Sequence, residues 1–398
     1  VINDNNQMRV TVRGVGSNTN NETDDTSVVV NIDGEYINRP TVLGSSMFDI
    51  ERIEVLKGPQ GHLYGRNTIG GAIKYVTRRP GDKLRAEVQA KAGEFDLRQL
   101  KGSMSGPLIE DRLYGSFGFM VKKQDGVQEN SVDGRKFWGS DFQGYRASLF
   151  AKPTDTLTAN LSLDYVKDNS PPRVPNRVAV DSMASSWTGT NFLITGANLF
   201  FGPGTGLFST PNDASLPTDI DRVSTDFGAE FDRFEIETKT AALTLEWDIN
   251  DRLRMKSVSA RRWGSSVQPY DFDASPQFFI TNIQPRDSDD FSQELQLNYG
   301  GEKLNAVIGL YYLDATQDTR AYNPQSPRLR GIQTYTRTTL DNEETLKSSS
   351  AYASVDWDFA EKWQLSFGGR YTRDEKAAHL LEQIDEQFFA LARLRGVP

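Results

Sequence analysis

Few residues in this chain could carry chemistry. His62 and His379 are the only imidazoles, and cysteine is absent from all 398 residues. That removes thiolate zinc sites, iron–sulfur clusters, disulfide frameworks, cysteine nucleophiles and any multi-histidine metal centre. Gly202-Pro-Gly-Thr-Gly206 has the glycine density of a phosphate loop, but no Lys-Ser/Thr and no helical pattern follow it. Asp213, Asp219, Asp221, Asp226, Glu230 and Asp232 could offer oxygens to calcium but lack the alternating spacing of a calcium loop. Glu343-Glu344 stands beside no nucleophile or base. No catalytic residue, no metal site and no cofactor is expected.

What must hold such a chain together is legible in its pattern. Hydrophobic residues make up 37%, aromatics 11%, and the formal charge is −9. The acidic balance argues against nucleic acid as the main partner, because phosphate binding wants a basic footprint. No stretch approaches the roughly 18 apolar residues of a membrane helix. The opening Val-Ile-Asn-Asp-Asn-Asn has neither the basic start nor the apolar core of a signal peptide. Low hydropathy leaves a transmembrane β-barrel open, since only alternate residues of its strands meet lipid.

From about residue 84 the sequence alternates with period two. Leu157, Ala159, Leu161, Leu163 and Tyr165 interleave with Thr158, Asn160, Ser162 and Asp164, and Ala241, Leu243, Leu245 and Trp247 with Ala242, Thr244, Glu246 and Asp248. Such segments have one apolar and one polar face as strands. Eleven are expected, near 84–94, 97–107, 112–124, 141–152, 156–167, 235–248, 252–265, 288–299, 303–317, 348–359 and 362–374. Short turns at 109–112, 152–155, 250–252, 299–303 and 359–362 alternate with long polar segments at 125–140, 168–234, 266–287 and 318–347. That asymmetry fits an outer-membrane barrel, as do Trp247, Tyr299, Trp357 and Trp363 beside the short turns. A soluble β-sandwich with one wet face also alternates, but its strands average about five or six residues.

Residues 1–80 differ: they are rich in Gly, Asn and Asp, with short strand-like runs at 9–15, 27–34, 50–58 and 72–80. Glu51-Arg52-Ile53-Glu54-Val55, Lys57-Gly58-Pro59, Leu63-Tyr64-Gly65 and Gly70-Gly71-Ala72-Ile73 together resemble the plug domain of TonB-dependent outer-membrane receptors. Val12-Arg13-Gly14-Val15-Gly16 and Val30-Asn31-Ile32-Asp33-Gly34 look like plug elements of the same family, and residues 291–297 and 368–371 look like its barrel strands. The resemblance implies a mainly β fold, with an N-terminal α/β plug over 1–80, truncated at its start, and a transmembrane antiparallel barrel over 84–374. Eleven strands would be half of the family's roughly twenty-two. The remainder, 375–398, is expected to be a loop or short helix at a truncated end, because Leu380, Ile384, Phe388 and Leu391 fall at helical spacing.

For function the resemblance implies energy-coupled uptake of a scarce ligand across the bacterial outer membrane, with ferric siderophores the leading class and carbohydrate, cobalamin or haem behind. The partners implied are a periplasmic TonB-type energy transducer, whose binding box is absent from this chain, outer-membrane lipid, and an iron chelate or similar small ligand. A passive porin-like channel, a binding-only adhesin and a soluble β-rich enzyme remain the rivals. Ligand contacts are expected from Arg13, Asn18, Asn20, Tyr36 and Arg39 at the plug apex and from Trp187, Tyr322 and Tyr335 in the long loops, where polar and aromatic side chains concentrate. A latch between plug and barrel is expected from Arg13, Lys57 and Arg66, with Glu294 as a wall carboxylate. Lys57 cannot make the forked contact of an arginine.

Overall fold

In the computed structural model the described residues are 2–4, 7–16, 26–38, 49–59, 61–131, 133–172, 174, 222–223, 234–271, 281–325, 328–329, 332–333 and 336–384. The N-terminal unit contains β1 (Ile2–Asp4), β2 (Gln7–Arg9), β3 (Thr11–Val12), β4 (Val15–Gly16), β5 (Val28–Ile32), β6 (Glu35–Ile37), β7 (Ile50–Lys57), the one-turn helix α1 (Gly61–Tyr64) and β8 (Gly71–Thr77). Its sheet runs β6-β5-β8-β7. β5 is a β-branched run that pairs in parallel with β8, while β6 folds back on β5 through the Asp33-Gly34 turn. Val10, Val12, Val28, Val30, Ile37, Ile73 and Tyr75 form its core. The Gly70-Gly71 pair has a steric cause: Gly71 sits at φ +139°, and a Cβ there would lie 2.1 Å from the Leu56 carbonyl oxygen.

The wall follows in chain order as β9 (Arg85–Gly93), β10 (Leu97–Ile109), β11 (Leu113–Gln124), the loop strands β12 (Gln128–Asn130) and β13 (Lys136–Phe137), β14 (Ser140–Ala151), β15 (Leu157–Asp168), the loop strand β16 (Arg222–Val223), β17 (Glu235–Asn250), β18 (Leu253–Asp271), β19 (Thr281–Gly300), β20 (Leu304–Gln325), the loop strands β21 (Arg328–Leu329) and β22 (Ile332–Gln333), β23 (Thr336–Ala360) and β24 (Trp363–Ile384). Eleven of these make one antiparallel sheet, ordered β24-β23-β20-β19-β18-β17-β15-β14-β11-β10-β9. They are the eleven strands expected from alternation. β9 and β24 are its two edges and do not pair with each other.

The sheet is curved around the N-terminal unit. At roughly 4.8 Å per strand, β11 and β24 would lie nearly 40 Å apart if it were flat. Yet Asp49 approaches Gly118 on β11, Glu35 bonds Arg262 on β18, and Arg66 faces Asp374 on β24. The faces fall as the pattern requires. Leu161, Leu163, Leu243 and Leu245 are exposed on the outer side, whereas Asp164 bonds Arg146 and Glu246 meets Arg79 on the inner side. Trp247, Trp357, Phe359 and Trp363 are exposed near the short turns, with Phe359 between the rings of Trp357 and Trp363.

Two expectations are corrected. The segments expected as long polar loops at 266–287 and 318–347 are partly strand, since β18 runs to Asp271, β19 starts at Thr281, β20 runs to Gln325 and β23 starts at Thr336, backbone pairing with the neighbouring strands extending beyond the alternating stretch. β24 runs on as strand through Ile384, so 375–384 is neither loop nor helix. Its register with β23 continues from Lys347↔Glu375 to Thr338↔Ile384. Backbone pairing with a neighbouring strand outweighs a helical spacing of four apolar residues. Residues 385–398 lie outside the described residues.

Candidate functional site

The chemistry of this molecule concentrates at the seam between the N-terminal unit and the inner wall. Glu35 opens β6 directly after the Asp33-Gly34 turn, and this geometry aims it at β18. There Arg262 donates Nε to Oε1 at 3.1 Å and Nη2 to Oε2 at 3.0 Å, a forked pair with both side chains almost fully buried. Burial pushes the Glu35 carboxyl above its ordinary value, and the Arg262 guanidinium opposes that push. Beside them Arg146 donates to Asp164 across β14 and β15, so four charges alternate in sign.

A second cluster gathers around Arg370 on β24. Its guanidinium lies 5.1 Å from the Tyr352 ring centroid and 5.7 Å from that of Tyr311, and it donates to Ser350. Tyr352 donates its hydroxyl to Glu294 at 2.5 Å and accepts from Gln296 at 3.0 Å. Tyr36 meets Tyr311 edge-on with centroids 6.4 Å apart, and Asn67 donates to the Tyr36 hydroxyl at 3.1 Å. Arg66 stands 3.6 Å from Asp374. Where the chain leaves the N-terminal unit, Arg79 reaches Glu246 at 3.4 Å and lies over the Phe150 ring.

A cavity of about 680 Å³ runs beneath the N-terminal sheet, reaching Lys74, Arg66, Glu294, Tyr311, Tyr352 and Arg370. Six cations and three carboxylates border it: Arg52, Arg66, Lys74, Arg79, Lys256 and Arg370 against Asp33, Glu51 and Glu294. Such a surface can hold a charged ligand or re-pair its own charges. Nothing in it resembles a nucleophile with its base.

The residues expected from sequence fall unevenly. Asn18, Asn20, Arg39, Trp187 and Tyr335 lie outside the described residues. Arg13 is exposed on the β3–β4 turn at φ 52°, and Lys57 is exposed at the end of β7. Neither forms an ion pair with another described residue. Arg66 and Glu294 do border the same cavity, with Asp374 and Tyr352 as their respective contacts. Tyr36 is turned to the wall, half-buried, and Tyr322 is half-buried on β20 opposite Ile283 and Thr339. Glu35, Arg262, Arg370 and Asp374 were not singled out. Arg262 carried little signal: it shares the inward face of β18 with Lys256, Val258 and Ala260, and nothing in the sequence sets it apart from that other cation.

Comparison with known proteins gives consistent matches. Residues 3–72 match the TonB-dependent receptor plug domain, and residues 186–380 match the TonB-dependent receptor-like β-barrel. The pesticin receptor of Yersinia enterocolitica is 24% identical over 338 residues, covering 83% of this chain and 42% of that protein. The vitamin B12 transporter BtuB of Vibrio vulnificus is 35% identical over 109 residues, 26% of this chain and 18% of that protein. Among solved structures, the ferric yersiniabactin uptake receptor FyuA from Yersinia pestis superposes with a TM-score of 0.66 at 17% identity, covering 90% of this chain and 52% of that one. The ferripyoverdine receptor of the Pseudomonas aeruginosa outer membrane, bound to ferripyoverdine, gives 0.62 at 13% identity, covering 95% and 50%. At these identities the structural likeness is one of fold. The chain spans about half the length of the relatives it matches.

Proposed function

The chain belongs to the TonB-dependent receptor family of outer-membrane β-barrels, and from that premise we propose that it serves energy-coupled uptake of a scarce ligand, a ferric siderophore in the first instance. The observation that carries this reading is the seating of a separate folded plug against the polar inner wall, through Glu35–Arg262 and the Arg370 cluster. A passive porin has no use for such an obstruction. A lumen wide enough for a large chelate would leak without one. Releasing a tightly held ligand inward requires a change of binding state, which needs an energy input; a periplasmic TonB-type transducer is the partner proposed to supply it.

Support for an iron chelate comes from solved structures of the same fold described as ferric yersiniabactin and ferripyoverdine receptors. The local matches to vitamin B12 transporters keep cobalamin as the second reading. Ligand contacts are assigned to the plug apex and long loops, with Arg13 the exposed cation of the described apex and Tyr322 on an upper strand. No catalytic step belongs to this proposal. Growth of a receptor-deficient strain carrying this sequence within a full-length receptor gene, on single ferric siderophores, tests it. Growth on at least one siderophore supports the assignment. Growth restored only by cobalamin under a cobalamin requirement would move it to the second reading.

A further inference from the structure

The outer face of the wall changes character along one line. Tyr145, Tyr165, Lys239, Trp263 and Asp289 stand directly opposite one another on β14, β15, β17, β18 and β19. Below this line, Arg261 apart, the outward positions of these strands are uncharged down to the short turns, as at Leu149, Leu163, Leu243 and Leu295. Above it they turn polar at once, with Gln143, Lys167, Glu237, Ser265 and Asp287. The short turns lie on the periplasmic side, so the line marks where hydrocarbon meets the headgroups of the outer leaflet.

Cations and rings interleave there. Tyr145 and Tyr165 stack with centroids 6.3 Å apart, and Lys239 Nζ lies 6.0 Å from the Tyr165 centroid. The Arg261 guanidinium carbon is 5.1 Å from the Trp263 centroid. Both cations stay open to the surroundings, with the Lys239 side chain 59% and the Arg261 side chain 53% exposed. Carboxylates orient them: Lys239 Nζ is 2.7 Å from Glu237, and Arg261 donates Nε and Nη2 to Asp289 at 3.0 and 2.8 Å. Ion pairs this exposed are weak and give way readily to another anion. The lower rim of the same strands differs. Its rings, Trp247 and Tyr299, face Leu157, Met255, Leu253 and Ala306 across the ladder, with no cation among them. An ordinary interfacial belt of aromatics accounts for the lower rim but not for the upper one.

We propose that this strip binds the phosphorylated saccharide headgroup of an outer-leaflet lipid, with Tyr145, Tyr165 and Trp263 against the sugar rings and Lys239 and Arg261 on the phosphates. Ring faces pack on the C–H faces of sugars, and Arg261 can offer phosphate the fork that it offers Asp289. The site lies on the lipid side of the wall, apart from plug and lumen, and does not depend on which ligand the receptor carries.

The test uses a full-length receptor containing this sequence, purified in a non-ionic detergent and titrated with a bisphosphorylated glucosamine-disaccharide lipid, the bound lipid being read by native mass spectrometry. Parallel titrations use the same lipid after phosphatase treatment, phosphatidylglycerol, and inorganic phosphate. Removing the phosphates, or introducing Lys239→Gln with Arg261→Gln, should weaken binding about tenfold or more. Arg320→Gln with Lys347→Gln removes two exposed cations away from the strip and should stay within about twofold. Trp263→Leu, which keeps the charges, should also weaken the saccharide lipid while leaving phosphatidylglycerol unchanged. Equal losses in the two double variants, no loss on dephosphorylation, or phosphatidylglycerol or inorganic phosphate binding as tightly as the saccharide lipid overturns the proposal. Heat-modifiable migration checks that each variant folds. If the Lys239/Arg261 variant does not, the unsubstituted receptor decides: acetylation of Lys239, measured against Lys347, should fall severalfold with the phosphorylated lipid and not with its dephosphorylated form. Lys239 labelling that the phosphorylated lipid leaves unchanged overturns the proposal as well.

Discussion

Gly65 and Arg370 compete for one volume: a Cβ on Gly65 would lie 2.8 Å from the Arg370 guanidinium carbon, and Gly65 holds φ +81°. The plug turn after α1 therefore seats its bare backbone against a cation that is held by Tyr311 and Tyr352. Gly65→Ala should destabilise plug docking by about 1–2 kcal/mol from the left-handed backbone alone, with Arg370 forced off its rings in addition. Urea titration of plug release, followed by protease nicking within 61–70, measures this. An unchanged midpoint would mean that the contact does not seat the plug.

Glu35→Ala leaves the Arg262 guanidinium buried without its carboxylate, and losses of about 3–5 kcal/mol are typical of such breaks. Removing both, as Glu35→Leu with Arg262→Met, should recover most of that. The same urea midpoint reads both variants, and a double variant as weak as the single would show that the fork contributes more than charge compensation.

The Glu35 carboxyl also gives the docking a pH dependence with a definite sign. Its docked value lies above the ordinary one because burial disfavours the charged form. A raised value stabilises the docked state below the ordinary carboxylate range near 4.5, and that contribution is lost as pH rises through the docked value. Acidification from neutral pH should therefore not release this contact. Glu35→Gln should flatten the dependence, seen as a smaller difference in urea midpoint between about pH 4 and about pH 8.

Leu163 faces outward at 49% exposure, flanked across the ladder by Ala147 and Ala241. Leu163→Arg should weaken folding into lipid bilayers by about 2–4 kcal/mol, whereas Leu163→Ala should cost far less. Equal effects would place this face away from hydrocarbon.

The open edges β9 and β24 carry unpaired backbone groups that hydrocarbon cannot satisfy and that in water template aggregation. The 398-residue chain expressed alone should accumulate as aggregate and show no heat-modifiable gel migration. A compact, heat-modifiable species would mean that these edges find each other.

All eleven wall strands were legible because lipid on one side and a polar plug on the other impose period two on residues such as Leu161, Ser162, Leu163 and Asp164. Their upper ends were not. β20 continues through Gln317–Gln325 and β23 begins at Thr336, segments polar on both faces, where alternation has no contrast to show. The strand at 375–384 was hidden for a related reason: Leu380 and Leu381 are both exposed there, so neither face is marked. Within the seam, Arg66 and Glu294 could be named from local motifs. Glu35 and Arg262 are 227 residues apart, and nothing in one sequence announces which inward cation a plug carboxylate will meet.

On the proposed function, ligand should pass this plug only with an external energy supply. The direct measurement is binding and accumulation of labelled ferric siderophore by cells carrying the protein, with the TonB-type transducer present or deleted. Deletion should leave surface binding intact and abolish accumulation. Accumulation that proceeds equally without the transducer would contradict the account and return the protein to the passive channels.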